Sequence, residues 1–299
     1  MIVREPPSLF QLLFVMRGSI VPKIAARVLA FALIAGVVAW VDAAIVPLPH
    51  VSIAAMGIFG IALSLFLGFR NNAAYDRWWE ARRLWGQLIA DGRSLGRETL
   101  VFLGEGAARM AKLKGFAAFA ELHNGALRGR DRRAEATKWD AAAAAYLKAR
   151  NAPDAALRRV AEVVRGEAVA GRLSDMGQKA LSERLASVAL AQAGCERLAS
   201  TPLPFVYSLL VLRTSYLYCL LLPFALIDTA GWFAPAVEAI VAYVFFGLAA
   251  VTDELEHPFR DAVNGLPLDA MCRIIEVSVA EALGEAPPPY LEPIDNVLS

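Results

Sequence analysis

The stretch GFRNNAAYDRWWEARRLWGQL, residues 68–88, follows directly on an almost uncharged apolar run and changes character within two residues. Arg70, Arg77, Arg82 and Arg83 sit among Tyr75, Trp78, Trp79 and Trp85, with no turn signal before them. Tryptophan favours the membrane–water interface and arginine favours an anionic leaflet. The stretch therefore reads as the place where an apolar helix leaves a bilayer. The missing turn predicts that this helix continues unbroken into water.

Working outward, four apolar segments are each close to the roughly 20 residues that a helix needs to cross a bilayer core. They are residues 28–41, 51–69, 204–227 and 232–251. The chain of 299 residues is 57% hydrophobic and only 20% charged, with a mean hydropathy of +0.47. That composition favours a membrane protein over a soluble domain. A formal net charge of +1 gives no large bias toward nucleic acid.

The flanks set an expected orientation. Arg4, Arg17, Lys23 and Arg27 precede the first span, and the arginines of residues 70–83 follow the second. The links VPLPHV and DTAGW carry no Lys or Arg. Excess positive charge stays on the cytoplasmic side, so both termini and the long middle segment are expected there. The first long apolar run begins near residue 28 with no small-residue cleavage site after it. The N-terminus is therefore expected to remain on the side of synthesis.

These segments divide the chain into four expected regions. Residues 1–75 hold the N-terminal segment and the first two spans, and residues 76–203 form a helical cytosolic domain. Residues 204–254 hold spans three and four, and residues 255–299 a cytosolic segment and tail. Within the middle region AAAAAYLKAR and LSERLASVALAQAGCERLAS carry helical patterning, while NGALRGRDRR and RNAPD read as connections. The tail APPPYLEP reads as extended and packed on something, with a latch at the cytosolic exit as one role.

Chemistry-bearing residues are sparse. Cys195, Cys219 and Cys272 form no CxxC pair, and His50, His123 and His257 are scattered, so neither a metal centre nor a His-based catalytic site is expected. No phosphate-binding, dinucleotide, zinc-protease or nucleophile-elbow motif stands in a convincing context. We expect no enzyme and no cofactor. Asp253, Glu254 and Glu256 cluster at the exit of the fourth span, but no loop alternates ligands as a calcium site requires.

On the second span Ile61, Leu65 and Phe69 fall at i, i+4 and i+8 and share one helix face. Such a face contacts lipid or other helices, or, repeated around an axis, forms an apolar constriction that gates by dewetting. Gly57, Gly60, Gly68, Ala54, Ala55 and Ala62 on the same span permit close helix packing. Arg213 lies inside the third span, where an ionisable residue is a functional candidate or snorkels. Glu238, just inside the outer end of the fourth span, either attracts cations from an aqueous vestibule or reaches the interface.

FRNNAAYDRWWEARRLWG resembles the signature that follows the second span in bestrophins, above all the bacterial branch. FVMRGSI, CERLASTPLPFVYSLLVLRTSYLYCLLLPFAL and DELEHPFRDAVNGLPLDAMCRIIE resemble three further bestrophin stretches, in the same order. Met16 replaces the tryptophan of the first of these. Only residues from about 100 to 190 lack a motif of that family.

The resemblance implies an all-α membrane protein with four transmembrane helices per subunit and long helical cytosolic extensions. It further implies a homopentamer around one axial pore, set among the lipids of a bacterial inner membrane and passing monovalent ions. Counting back from Arg77, Trp78 and Trp79 places Ile61, Leu65 and Phe69 on the family's neck. Arg77, Trp78, Trp79 and Glu80 fall in a structural interface motif. A second constriction at the cytosolic exit falls near Met176 to Leu181. The acidic calcium clasp of animal members is absent from HPFRDAVNGLP, so calcium gating is not carried over. The bacterial likeness leans toward Na⁺ or K⁺, with an anion channel of the same fold as the alternative. A secondary transporter or a non-conducting scaffold are more distant rivals.

Overall fold

The computed structural model describes residues 1–3, 15–146 and 148–299, with the side chain of Ala144 also left aside. Arg4 and Phe14, the first residue of FVMRGSI, lie outside the described residues. The described residues are helical, with isolated bridges and no strands. The helices are α1 (Val21–Ala44), α2 (Ile53–Leu103), α3 (Ala107–Arg128), α4 (Arg133–Trp139), α5 (Ala143–Tyr146), α6 (Ala152–Val169), α7 (Asp175–Ser200), α8 (Phe205–Ala230), α9 (Ala234–Glu256) and α10 (Leu268–Leu283). Two compact units emerge, one of Glu5–Trp78 with Pro202–His257, the other of Met1–Arg4, Trp79–Thr201 and Pro258–Ser299.

The first unit is apolar. Val21–Ala44, Ile53–Leu103 and Phe205–Glu256 are long and apolar enough to cross a membrane. The last of these is not one rod. It breaks at the 3₁₀ turn Gly231–Phe233, where Gly231 takes φ 50°, a left-handed value that suits glycine. The halves α8 and α9 then pack side by side, and α1 packs on both. Ile24, Phe31, Leu63, Leu67, Leu222 and Phe246 lie in the shared core.

Polar contacts fix both ends of this bundle. At one end Lys23, near the start of α1, pairs with Glu254 near the end of α9, and Arg70 of α2 pairs with Glu256. At the other end His50, in the α1–α2 link, lies between Asp42 and Asp228, and Val51 N donates to Phe224 O at 3.1 Å. Helices consecutive in sequence therefore run in opposite directions, so α1 and α8 share one direction and α2 and α9 the other.

In the second unit α3 is the central element. It packs against α4, α6, α7 and α10 and is buried over most of its length. The connections differ from the sequence expectation. Residues 124–128 of NGALRGRDRR complete α3, and the chain turns at Gly129, φ 65°. RNAPD opens α6: Asn151 caps it by accepting from Asp154 N, and Pro153 occupies the first turn. AAAAAYLKAR yields only the short α5 and a turn.

Met1 N donates to Leu298 O, and Val3 N to Asn296 O at 2.9 Å, so the N-terminal residues pair with the tail. Arg273 Nη1 donates to Pro289 O at 2.8 Å, which ties the proline-rich stretch to α10.

Candidate pore-lining site

Helix α2 presents two opposite faces in the apolar unit. Met56, Leu63 and Leu67 point into the core beside residues of α8 and α9. Phe59 packs edge-on against Tyr218, and Tyr207 Oη donates to Phe66 O at 3.2 Å. On the other face Ile61, Leu65 and Phe69 are 66%, 58% and 63% exposed. Gly57 and Gly68 have open space where a Cβ would stand. A row of large apolar side chains left uncovered on a single chain marks a surface for lipid, for another copy, or for the wall of a pore.

One boundary of this face is set by charge. Arg70 follows Phe69 directly yet is 4% exposed. Its Nη2 donates to Glu256 Oε2 at 3.3 Å, and Leu203 N donates to Glu256 Oε1 at 3.0 Å. Arg77 Nε donates to the backbone oxygen of Glu256 at 3.3 Å. Two carboxylates of the acidic trio thus face cations of their own chain, Glu254 with Lys23 and Glu256 with Arg70. The sequence pointed to the acidic cluster but not to this use of it. The signal was legible: Arg70 and Arg77 stand seven residues apart on one helix face.

The remaining expected residues are placed as follows. Trp78 Nε1 is buried without a partner, Trp79 is exposed, and Glu80 accepts from Arg197 at 2.6 Å. Arg213 is exposed on α8. Glu238 lies on the inward face of α9 in the single chain. It is wholly buried, and the polar group beside its carboxyl is the Cys219 thiol of α8, a weak donor. Met176, in the first turn of α7, is exposed, whereas Leu181 is wholly buried. The structure does not bring Met176 and Leu181 onto one face.

A bundle of long apolar helices with charges gathered at one end and an uncovered apolar face defines an α-helical, multi-pass membrane protein. Comparison with known proteins identifies it further. A family model described as Bacterial/Fungal Bestrophin protein matches residues 1–281. The chain is 46% identical over 296 residues to a voltage-dependent anion channel-forming protein of Mesorhizobium japonicum, covering 97% of this chain and 95% of that one. It is 38% identical to the voltage-dependent anion channel-forming protein YneE of Escherichia coli K12, covering 96% and 95%. A crystal structure of a bacterial bestrophin homologue from Klebsiella pneumoniae superposes with a TM-score of 0.82 at 32% identity, covering 88% of this chain and 100% of that one. The chain belongs to the bestrophin family, in its bacterial and fungal branch. Bestrophins are ion channels, not enzymes.

Proposed function

We propose that the chain assembles as a homopentameric channel in the bacterial inner membrane and passes monovalent anions through an axial neck of Ile61, Leu65 and Phe69. The observation that carries this reading is the uncovered apolar face of α2, beside a face packed into the core. Five copies of that face around an axis make rings of large apolar side chains, which gate by wetting and dewetting. The end of the bundle that holds Lys23, Arg70 and Arg77 faces the cytoplasm, as clustered arginine and lysine favour. Trp79–Thr201 with Pro258–Ser299 is then the cytosolic part, and of Met176 and Leu181 it is Met176 that has the exposure an exit constriction requires.

An apolar neck repels neither sign of ion by charge, so its side chains do not choose the ion. The choice of anions rests on the relatives at 46% and 38% identity, both named as anion channel-forming. It replaces the cation preference suggested by resemblance alone. The test is the reversal potential of the purified protein in a planar bilayer under a KCl gradient. Reversal near the Cl⁻ equilibrium potential is expected, and reversal near that of K⁺ would exclude the anion reading. Alanine at 61, 65 and 69 together should raise conductance or open probability, and unchanged currents would remove the neck.

A further inference from the structure

Glu256 joins three elements of the apolar unit at one residue. It ends α9 and takes Arg70 of α2 on one carboxyl oxygen and the amide of Leu203, just ahead of α8, on the other. Its backbone oxygen takes Arg77, two helical turns beyond Arg70. Seven residues return a helix to within about 20° of the same direction. One residue therefore holds α2 at two points on a single face.

That face is fixed relative to the neck. Phe69 and Arg70 are consecutive, so their side chains diverge by about 100° around the helix. Arg70 is held inward by Glu256 while Phe69 is left outward. Any rotation of α2 that moved Ile61, Leu65 and Phe69 off the uncovered face would draw Arg70 away from Glu256. The pair is also incompletely satisfied, because Arg70 Nε is buried without a partner. Desolvation makes a buried ion pair poor value as a source of stability, and its best-attested use is to select one geometry.

We propose that Glu256 is a positioning residue: through Arg70 and Arg77 it sets the rotation of α2 and so determines which side chains form the neck. The proposal rests on the neck reading above. It adds a residue that does not line the pore and that nothing in the apolar face itself reveals.

The experiment uses the full chain in proteoliposomes, with single cysteines at 61, 65 or 69 and, as the opposite face, at 63 or 67. A charged, water-soluble thiol reagent reads which positions face water. Cys195, Cys219 and Cys272 are buried, so background labelling is low. With Arg70 and Glu256 intact, 61, 65 and 69 label and 63 and 67 do not. Glu256→Gln keeps an acceptor for Leu203 N but removes the charge, and Arg70→Met removes the partner. Each should reduce the labelling contrast about tenfold, and Arg70→Met with Glu256→Leu should reduce it to the same extent rather than by the product, as expected of a coupled pair. The double variant leaves no unpaired buried charge and carries the test if the single variants fail to fold. An unchanged contrast, or effects that multiply, overturns the positioning role alone. No labelling at 61, 65 or 69 with the pair intact, in proteoliposomes shown to conduct, overturns the neck reading, and the positioning role with it.

Discussion

Arg184 of α7 donates from Nη1 to Asp91 of α2 at 2.6 Å, and Asp91 has no solvent exposure. The same guanidinium grips Glu98, about two helical turns further along the same face of α2, at 2.7 Å. Ser187 Oγ donates to the second Asp91 oxygen at 2.9 Å. Removing the cation strands a buried carboxylate, which costs about 3–5 kcal/mol. Arg184→Met should lower the unfolding free energy of the purified protein by that order. Adding Asp91→Leu should recover most of it, since the stranded charge is then gone.

Close approach of α2 to α3 makes a second, steric prediction. A Cβ at Gly92 would stand 2.5 Å from Phe116 Cε1, and Phe116 is itself fully buried against Phe119. Overpacking of this kind costs about 1–3 kcal/mol. Gly92→Ala should lower thermal stability accordingly, and Phe116→Leu introduced with it should restore part of the loss.

His123 yields a prediction in pH. It lies between Trp85 and Phe119, with both ring nitrogens buried and unpartnered. Burial pushes its pKa down to about 3. The unfolded chain then binds the extra proton below about pH 6.5, so stability is lost as pH falls through the window from 6.5 to 3. Glu121 acts in the opposite sense: burial raises its pKa to about 7, against the pull of Arg132, so its stabilising effect is lost as pH rises from 4.5 to 7. The two nearly cancel between 4.5 and 6.5. Below 4.5 the histidine acts without that offset. His123→Phe keeps the ring stack and removes the titration. Its stability advantage over the parent should grow by about 1.4 kcal/mol per pH unit on acidification below 6.5. A constant advantage across that range would show that His123 does not titrate as its burial requires.

His123 also shows where sequence reading stops. The four apolar segments, the unbroken helix after Phe69 and the 61/65/69 face could all be read, because length, composition and a four-residue repeat report them directly. Helix α3 could not. Lys112, Glu121, His123 and Asn124 are residue types not commonly buried in full, yet all are buried, because α4, α6, α7 and α10 enclose their helix. No local period signals burial on every side. RNAPD misleads differently: its composition reads as a connection, yet Asn before Ala-Pro-Asp is also a helix-start signal, and here it opens α6. Glu256 was visible only as one acid among three, since its partners lie far away in sequence, at residues 70, 77 and 203.

His50 gives an opposite pH response at the other end of the apolar unit. Its Nδ1 lies 2.9 Å from Asp228 and its Nε2 3.4 Å from Asp42, while Leu48 N also donates to Asp42 at 2.7 Å. Hydrogen bonding to Asp42 is the largest cause of a raised His50 pKa, with both carboxylates adding to it. The contribution is fully present below about pH 6.5 and is lost as pH rises through the raised value. Amide exchange at Leu48 and Val51 should therefore accelerate on alkalinisation beyond the intrinsic base dependence. His50→Ala should abolish that excess, and persistence of the excess in the variant would assign it elsewhere.

Glu238 provides the last prediction, and it runs against the role its sequence position suggests. A carboxyl that concentrates ions must project its field into water. This one has no exposure, and the polar group beside it is the Cys219 thiol, a weak donor. Cys219 of α8 and Glu238 of α9 are both buried where those two helices pack together. Burying a polar group that a thiol satisfies only weakly costs about 1–3 kcal/mol on protein scales. Glu238→Leu should therefore stabilise the protein by that order, provided the larger apolar volume is accommodated. Glu238→Gln, nearly isosteric, should leave the ratio of cation to anion permeability unchanged at low salt, where a surface charge would act most strongly. A fall in cation current at low salt would mean that the conducting protein turns Glu238 toward water, and would return the residue to the permeation path.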